Sequence, residues 1–367
     1  MNRGETVVTR ALRQIANLDR VEQLLNDDPQ ALLGPMPGAM ADGGYETRAI
    51  GGAARGRRSE ATAAADESPA STRRRLLDSG RRAITKLKHE GASAKLDPSE
   101  KLGLEAIILV TGRPALLIQN GAFFPPPDDW KELETHRTTI QSLFPSVGRI
   151  EVKGHPDFEW IGTGFLVADD VIMTNRHVAL EFSREDRARR TWKFAVGMTA
   201  TIDYNEELGA TNPFEFALTG VIGVHDKHDM ALLQVAKKSR TRRNAPEPLA
   251  VDKSAKAKKG RKVYVVGYPA SDSRRNDPEV MRRIFSNIYD VKRLQPGELT
   301  AVTAAKIELN HDCSTLGGNS GSCVIDLETH KVVGLHFGGR FGEKNYAVML
   351  SKLTADPLIK KAKINFV

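Results

Sequence analysis

A histidine, an aspartate and a serine carry the chemistry of this chain, and each stands in a run of residues able to hold it rigidly. His177 lies in GTGFLVADDVIMTNRHVA (residues 162–179), Asp229 in HDMALLQV (residues 228–235) and Ser320 in LGGNSGSCV (residues 316–324). A serine hydroxyl is a poor nucleophile near neutral pH. An imidazole that takes its proton, itself oriented by a carboxylate, turns it into a useful one. The three residue types therefore suit acyl transfer through a covalent serine intermediate. Asp226, three residues before Asp229, is the alternative carboxylate; Asp229 is preferred because it abuts the apolar run Met230-Ala231-Leu232-Leu233. Around Ser320, Gly317, Gly318 and Gly321 free the backbone for tight turns. The amides of Gly318 and Ser320 can then converge on a developing oxyanion, and one such donor is worth roughly 3–4 kcal/mol of transition-state stabilisation.

The elements that must position these groups read as strands. Gly164 to Val167 and Val171 to Met173 form a predicted hairpin with Asp169-Asp170 at its turn, and His177 follows on one helical turn. Met230 to Leu233 reads as a buried strand with Asp229 at its mouth. Asp229 follows His177 by 52 residues and Ser320 follows Asp229 by 91. These separations suit His177 and Asp229 on a first β-barrel and Ser320 on a second. Taken singly, a G-x-S-G can be a plain turn, a histidine after a strand a cap, and an aspartate before an apolar run a turn residue. The conjunction in this order gives the signal.

From about residue 147 onward the sequence resembles trypsin-like serine peptidases, and its pattern is similar to that of the glutamyl endopeptidases and their bacterial relatives. The resemblance rests on GTGFLV with TNRHV, DMALL, CSTLGGNSGS, VVGLHFGG, and NYAV before a terminal helix. It implies a mainly β fold of two six-stranded barrels with a cleft between them. It implies peptide-bond hydrolysis through an acyl-enzyme, with no metal or organic cofactor and a protein or peptide as substrate. It further implies that Thr315 and His336 contact an acidic side chain before the scissile bond. Ser314 stands where trypsin has its pocket aspartate, which argues against cleavage after Lys or Arg. Asn319 stands where zymogens of this type carry the aspartate that pairs with a new N-terminus, so that activation switch is expected to be absent. Cys323 replaces a common proline.

Composition sets the surroundings. The chain has 367 residues, 40% hydrophobic, with net charge +8. No apolar run approaches the ~20 residues that span a bilayer. The N-terminus, MNRGETVVTRALRQ, lacks a signal-peptide core, so a cytoplasmic protein without membrane contact is expected. Cys313 and Cys323 flank the nucleophile loop; reduced buried thiols are the expectation and a bridge the alternative. The predicted organisation is an N-terminal helix in 1–33, a Gly/Ala/Pro/Ser-rich flexible linker over 34–72, and a helical, basic extension packed on the protease over 73–146. The first barrel follows over 147–250, then the second barrel with a C-terminal helix over 251–367. Within the extension, helices are expected over 73–90, 99–110 and 130–143. A short strand is expected over 115–119, ended by an Asn120-Gly121 turn. Residues 1–100 could receive a regulatory partner, and Glu46, Glu60 and Glu67 offer acidic sites for self-processing. The basic stretch 237–262 raises a rival reading, a module binding nucleic acid or an acidic partner. Neither a zinc spacing nor an RNA-binding aromatic signature accompanies it, so a solvated loop is expected and nucleic acid is not. An inactive protease-fold scaffold is the other rival.

Overall fold

Helices begin where the chain supplies a cap, and the N-terminal unit shows how. A computed structural model describes residues 8, 11–12, 18–27, 69–107, 112–254, 256–271, 285–286, 288–340, 344–364 and 366–367. In the N-terminal unit α1 spans Leu18–Asp27, α2 Pro69–Glu90 and α3 Pro98–Ile107. Proline opens α2, a position where its fixed φ suits the helix and its missing N–H is no loss. The helix therefore starts inside the stretch 34–72 expected to be linker; residues 34–68 lie outside the described residues. A reciprocal capping box starts α3: Asp97 Oδ1 accepts from the Glu100 amide at 2.8 Å, and Glu100 Oε2 accepts from the Asp97 amide at 3.0 Å. Leu25, Ala83, Ile84, Leu87 and Leu104 form the buried seam of this unit.

A second unit comprises Ala115–Pro126, Lys131–Asp272 and Tyr289–Val367. Its first strands, β1 (Leu116–Gln119) and β2 (Ala122–Phe123), are joined by Asn120 and Gly121 at φ 52° and 74°, the paired positive φ values of a tight hairpin turn. A single helix was expected over 130–143. The chain instead makes a 3₁₀ stretch, Asp128–Glu134, then α4, Arg137–Leu143. The two are separated by a turn at Thr135-His136, and inside the 3₁₀ stretch the backbone kinks at Trp130 (φ −119°), whose buried indole donates to the Gly112 carbonyl at 2.9 Å.

The first barrel is built from β3 (Val147–Lys153), β4 (Trp160–Ala168), β5 (Val171–Thr174), β8 (Thr199–Asp203), β9 (Glu215–Val224) and β10 (Ala231–Val235). They hydrogen-bond in the order β10-β5-β4-β3-β8-β9, and β10 closes on β9. Between β5 and β8 lie α5 (Arg176–Phe182) and the hairpin β6 (Ser183–Asp186) and β7 (Thr191–Phe194). Ile150, Leu166, Ile172, Ile202, Phe216 and Leu233 fill the interior. Burying a side chain of this size contributes roughly 1.5–3 kcal/mol.

The second barrel uses β11 (Lys262–Gly267), β12 (Arg293–Thr303), β13 (Glu308–His311), β14 (Cys323–Asp326), β15 (Val332–Arg340) and β16 (Lys344–Met349). Its order is β11-β14-β15-β16-β13-β12, closed by β11 on β12. β1 pairs with β12, Leu116 opposite Leu294. The segment 73–146 is thus divided: part belongs to the helical unit, while β1 and β2 extend the second barrel's sheet. Helix α6 (Pro357–Ala362) follows β16 but lies against β9 of the first barrel, where a Cβ on Gly223 would fall 2.6 Å from Leu358 Cδ1. Both cysteines are buried and neither is in a disulfide.

Candidate active site

Register brings His177 and Asp229 together. Thr174 at the end of β5 pairs with Ala231 at the start of β10. Three residues beyond Thr174 and two before Ala231, the chain presents an imidazole and a carboxylate. Asn175 is the N-cap of α5, and its buried side chain donates to the Asp229 carbonyl at 2.9 Å. The carboxylate clamps the histidine at two points: Oδ2 lies 2.6 Å from Nδ1, and Oδ1 accepts from the His177 amide at 2.9 Å. A carboxylate facing Nδ1 keeps the proton there and leaves Nε2 as an acceptor. Asp226 is not the partner; only its carbonyl is engaged, by Arg176 at 2.6 Å.

The loop carrying Asp229 is shaped by a residue that sequence reasoning missed. His225 Nδ1 accepts from the amides of Lys227 and His228, each at 3.0 Å. Its Nε2 lies 3.1 Å from Asp356 Oδ2, and Asp356 is the N-cap of α6.

Ser320 sits half-buried in a turn that only glycines can make. Gly318 (φ 82°) and Gly321 (φ 90°) lie in the left-handed region. A Cβ on Gly321 would fall 2.0 Å from the Thr163 carbonyl, and one on Gly318 would fall 2.4 Å from the Tyr268 carbonyl. The Ser320 carbonyl accepts from the Thr163 amide at 2.8 Å, which ties the second barrel's loop to β4 of the first. A Cβ on Gly162 would meet the Ser320 carbonyl at 2.9 Å and Val178 Cγ2 at 3.0 Å, so the backbone at Ser320 and the residue after His177 flank one point. Among the described residues the Ser320 hydroxyl makes no hydrogen bond to His177, and the amides of Gly318 and Ser320 donate to no protein acceptor. Free enzymes of this chemistry often show a loose nucleophile–base contact that tightens on substrate.

His336 is buried on β15, with Nδ1 3.1 Å from His311 Nε2. Burial holds both imidazoles neutral, His311 down to about 3 and His336 well below the usual histidine range; nearby His311 and His177 add to the effect on His336. Among the described residues Nδ1 of His311 has no partner. An orphaned acceptor is cheaper than an orphaned N–H. The favoured tautomers therefore have His311 donate from Nε2 to His336 Nδ1, leaving Nε2–H of His336 as a donor. Thr315 donates its hydroxyl to Asn345 Oδ1 at 2.9 Å, and Asn345 donates to the Cys313 carbonyl at 2.7 Å. Its proton is thus already committed. His311 lies outside the quoted motifs, and Asn345 opens NYAV without a role assigned to it there; both enter through strand register, opposite one another on β13 and β16.

Two closed antiparallel barrels, with a carboxylate-clamped histidine on one and a glycine-framed serine on the other, define a double-barrel serine hydrolase architecture. Residues 162–335 match the family model described as the trypsin-like peptidase domain. Residues 162–335 are thus similar to trypsin-like serine peptidase domains. The chain is 27% identical over 310 residues to a "Probable serine protease" of Lysobacter enzymogenes, covering 75% of this chain and 79% of that protein. It is 23% identical over 216 residues to a glutamyl endopeptidase of Staphylococcus aureus, covering 58% of this chain and 57% of that protein. The match thus spans little more than half of the staphylococcal protein's length. A crystal structure of a protease from M. tuberculosis in its active form superposes with a TM-score of 0.41 at 20% identity, covering 62% of this chain and 86% of that one. Among the described residues no helix is long and apolar enough to cross a membrane.

Proposed function

We propose that the chain is an endopeptidase whose catalytic triad is Ser320, His177 and Asp229. The two-point clamp of Asp229 on His177 is the observation that carries this reading. His177 Nε2 takes the Ser320 proton as Oγ attacks the scissile carbonyl. Asp229 holds the imidazole in the tautomer that can accept it and stabilises the imidazolium that forms. The amides of Gly318 and Ser320, which donate to no acceptor among the described residues, hold the oxyanion. His177 then protonates the leaving amine, and water repeats the sequence on the acyl-enzyme. Incubating the protein with a fluorophosphonate probe tests this directly. Ser320 is expected to be the labelled residue, and Ser320→Ala is expected to lose both labelling and peptide hydrolysis at an unchanged melting temperature. Labelling elsewhere, or an active alanine variant, would refute the assignment.

An acidic side chain before the scissile bond is the preference these residues support best. His336, whose carbonyl accepts from the Gly321 amide next to Ser320, supports it through the neutral N–H that its pairing with His311 leaves without a partner among the described residues, and the likeness to glutamyl endopeptidases supports it independently. Thr315 can join only by releasing Asn345. A cleavage-site profile on a peptide library is expected to show Glu or Asp before the cut; a majority of cuts after apolar or basic residues would end this reading. Residues 1–100 are the proposed regulatory region, a reading supported by the helices α1 and α2 among its described residues. Mapping new termini on the wild type beside Ser320→Ala tests self-processing at Glu46, Glu60 and Glu67, which lie outside the described residues.

A further inference from the structure

We infer that Thr163 is a positioning residue for the oxyanion site, locking the nucleophile loop from the opposite barrel. The inference rests on the proposed role of Ser320 and its neighbouring amides. Thr163 is the middle residue of GTG on β4 and is fully buried. Four hydrogen bonds meet there. Its amide donates to the Ser320 carbonyl at 2.8 Å, and its carbonyl accepts from Thr174 Oγ1 at 2.8 Å, three residues before His177. Its hydroxyl lies 2.8 Å from the Gly318 carbonyl and 3.3 Å from the Tyr268 amide.

The direction of the hydroxyl bond follows from its partners. The Tyr268 N–H can only donate, so Oγ1 is its acceptor. The Gly318 carbonyl can only accept, so it takes the Oγ1 proton. The rotor is therefore fixed, with no solvent at hand to offer another arrangement. That bond fixes the Gly318–Asn319 peptide plane. The preceding plane is fixed by a separate anchor: the Gly317 carbonyl accepts from the Ala270 amide at 2.6 Å. In a trans peptide N–H and C=O point opposite ways, so holding the Gly317 carbonyl inward turns the Gly318 N–H outward. Gly318, at φ 82°, is the hinge between the two held planes. Glycine alone would not keep that hinge in one state, because it is the residue freest to rotate. The Thr163 hydroxyl supplies the restraint on one side, and the Thr163 amide holds the far end of the same loop at Ser320.

Thr163→Val keeps the shape and removes the hydroxyl. Without the hydroxyl, the Gly318–Asn319 plane keeps only the longer bond from the Asn319 amide to the Leu316 carbonyl (3.2 Å), so the segment from Gly318 to Ser320 loses its fixed relation to the plane that carries the Gly318 amide, and stabilisation made only in the transition state suffers. Measured on a peptide taken from the cleavage profile, kcat is expected to fall on the order of 10- to 100-fold, less than the loss of a whole oxyanion donor. KM is expected to stay within about twofold, because ground-state binding does not use the oxyanion donors. The second-order rate of fluorophosphonate labelling at Ser320 should fall in parallel, since the phosphonyl oxygen occupies the same site. Thr163→Ser restores the hydroxyl without the methyl and is expected to recover most of both rates. That rescue separates positioning from packing, and it stands even if the valine variant folds poorly. A valine variant that labels at the wild-type rate, or a serine variant as slow as valine, overturns the inference while the triad stands. A wild type that neither labels nor hydrolyses overturns the triad and this inference together.

Discussion

At the scale of single residues, the acid assignment is the sharpest claim. Asp229 accepts twice from His177, whereas the Asp226 side chain is exposed and only its carbonyl is used. Asp229→Asn places an amide opposite Nδ1, so the imidazole is held with its proton on the wrong nitrogen. Turnover is expected to fall by roughly 10⁴ with the fold retained. Asp226→Asn leaves its carbonyl in place and is expected to stay within about twofold of wild type, as for other exposed substitutions. Single-turnover hydrolysis of the two variants side by side decides between the carboxylates, and the reverse pattern would reassign the acid.

Elements carry these residues, and here the C-terminal helix matters more than its distance in sequence suggests. Asp356 caps α6 through Leu358 and Ile359 and also faces Nε2 of His225, the ring that shapes the loop ahead of Asp229. Asp356→Ala loses the cap, at about 0.5–2 kcal/mol. It also leaves a mostly buried imidazole N–H without its acceptor, at about 1–3 kcal/mol. Thermal unfolding is expected to shift down by roughly 5–10 °C, with Asp356→Asn, which can still cap, less affected. An unchanged midpoint in the alanine variant would show that this contact is not holding the loop. His177, Asp229 and Ser320 were legible in the sequence because each lies at a local signal: a strand end, the mouth of an apolar run, a glycine-framed turn. His225, Asp356, Thr163 and His311 were not, because each takes its place in the site through a partner 25 to 155 residues away. The start of α2 was missed for a local reason: Pro69 and Ala70 sit in a composition that reads as linker, yet proline is a good first helical residue. The place of β1 was hidden for a topological one, since a four-residue strand does not encode which strand it will pair with. The double barrel itself was readable mainly through the catalytic motifs, because strands such as β5, buried on both faces, lack the alternation that marks a half-exposed strand.

Across the whole molecule, buried ionisable groups make stability depend on pH in a direction that follows from the site. His311 and His336 stay neutral in the folded state because burial disfavours their charged forms, His311 down to about 3. In the unfolded chain both take a proton near 6.5. Their contribution is therefore fully present above pH 6.5. As pH falls below 6.5 the unfolded chain binds protons that the native state refuses, so stability falls toward pH 3. Each such histidine adds up to about 1.4 kcal/mol per pH unit over that window. Carboxylates held low by their partners, such as Glu100 beside Lys86 and Asp326 beside Arg261, add their loss only nearer their own range. Lys292 works at the other end. It is buried against the Phe144 and Tyr204 carbonyls and Glu207, with its ammonium pushed down to about 8, so its effect is confined between pH 8 and 10.5. Between pH 6.5 and 5 other groups titrate as well: Glu151, its carboxyl pushed up to about 7 by burial, opposes the histidines, while His228 and His330, lowered by burial, act with them. Urea unfolding over that interval is therefore read as a difference from His311→Phe, which removes one of the two titrations and is expected to lose less stability per pH unit than the wild type, even if it is less stable at pH 7. An unchanged slope in the variant would mean that the imidazole pair is not held neutral. The His336 N–H proposed to receive an acidic side chain would then belong to a charged ring instead.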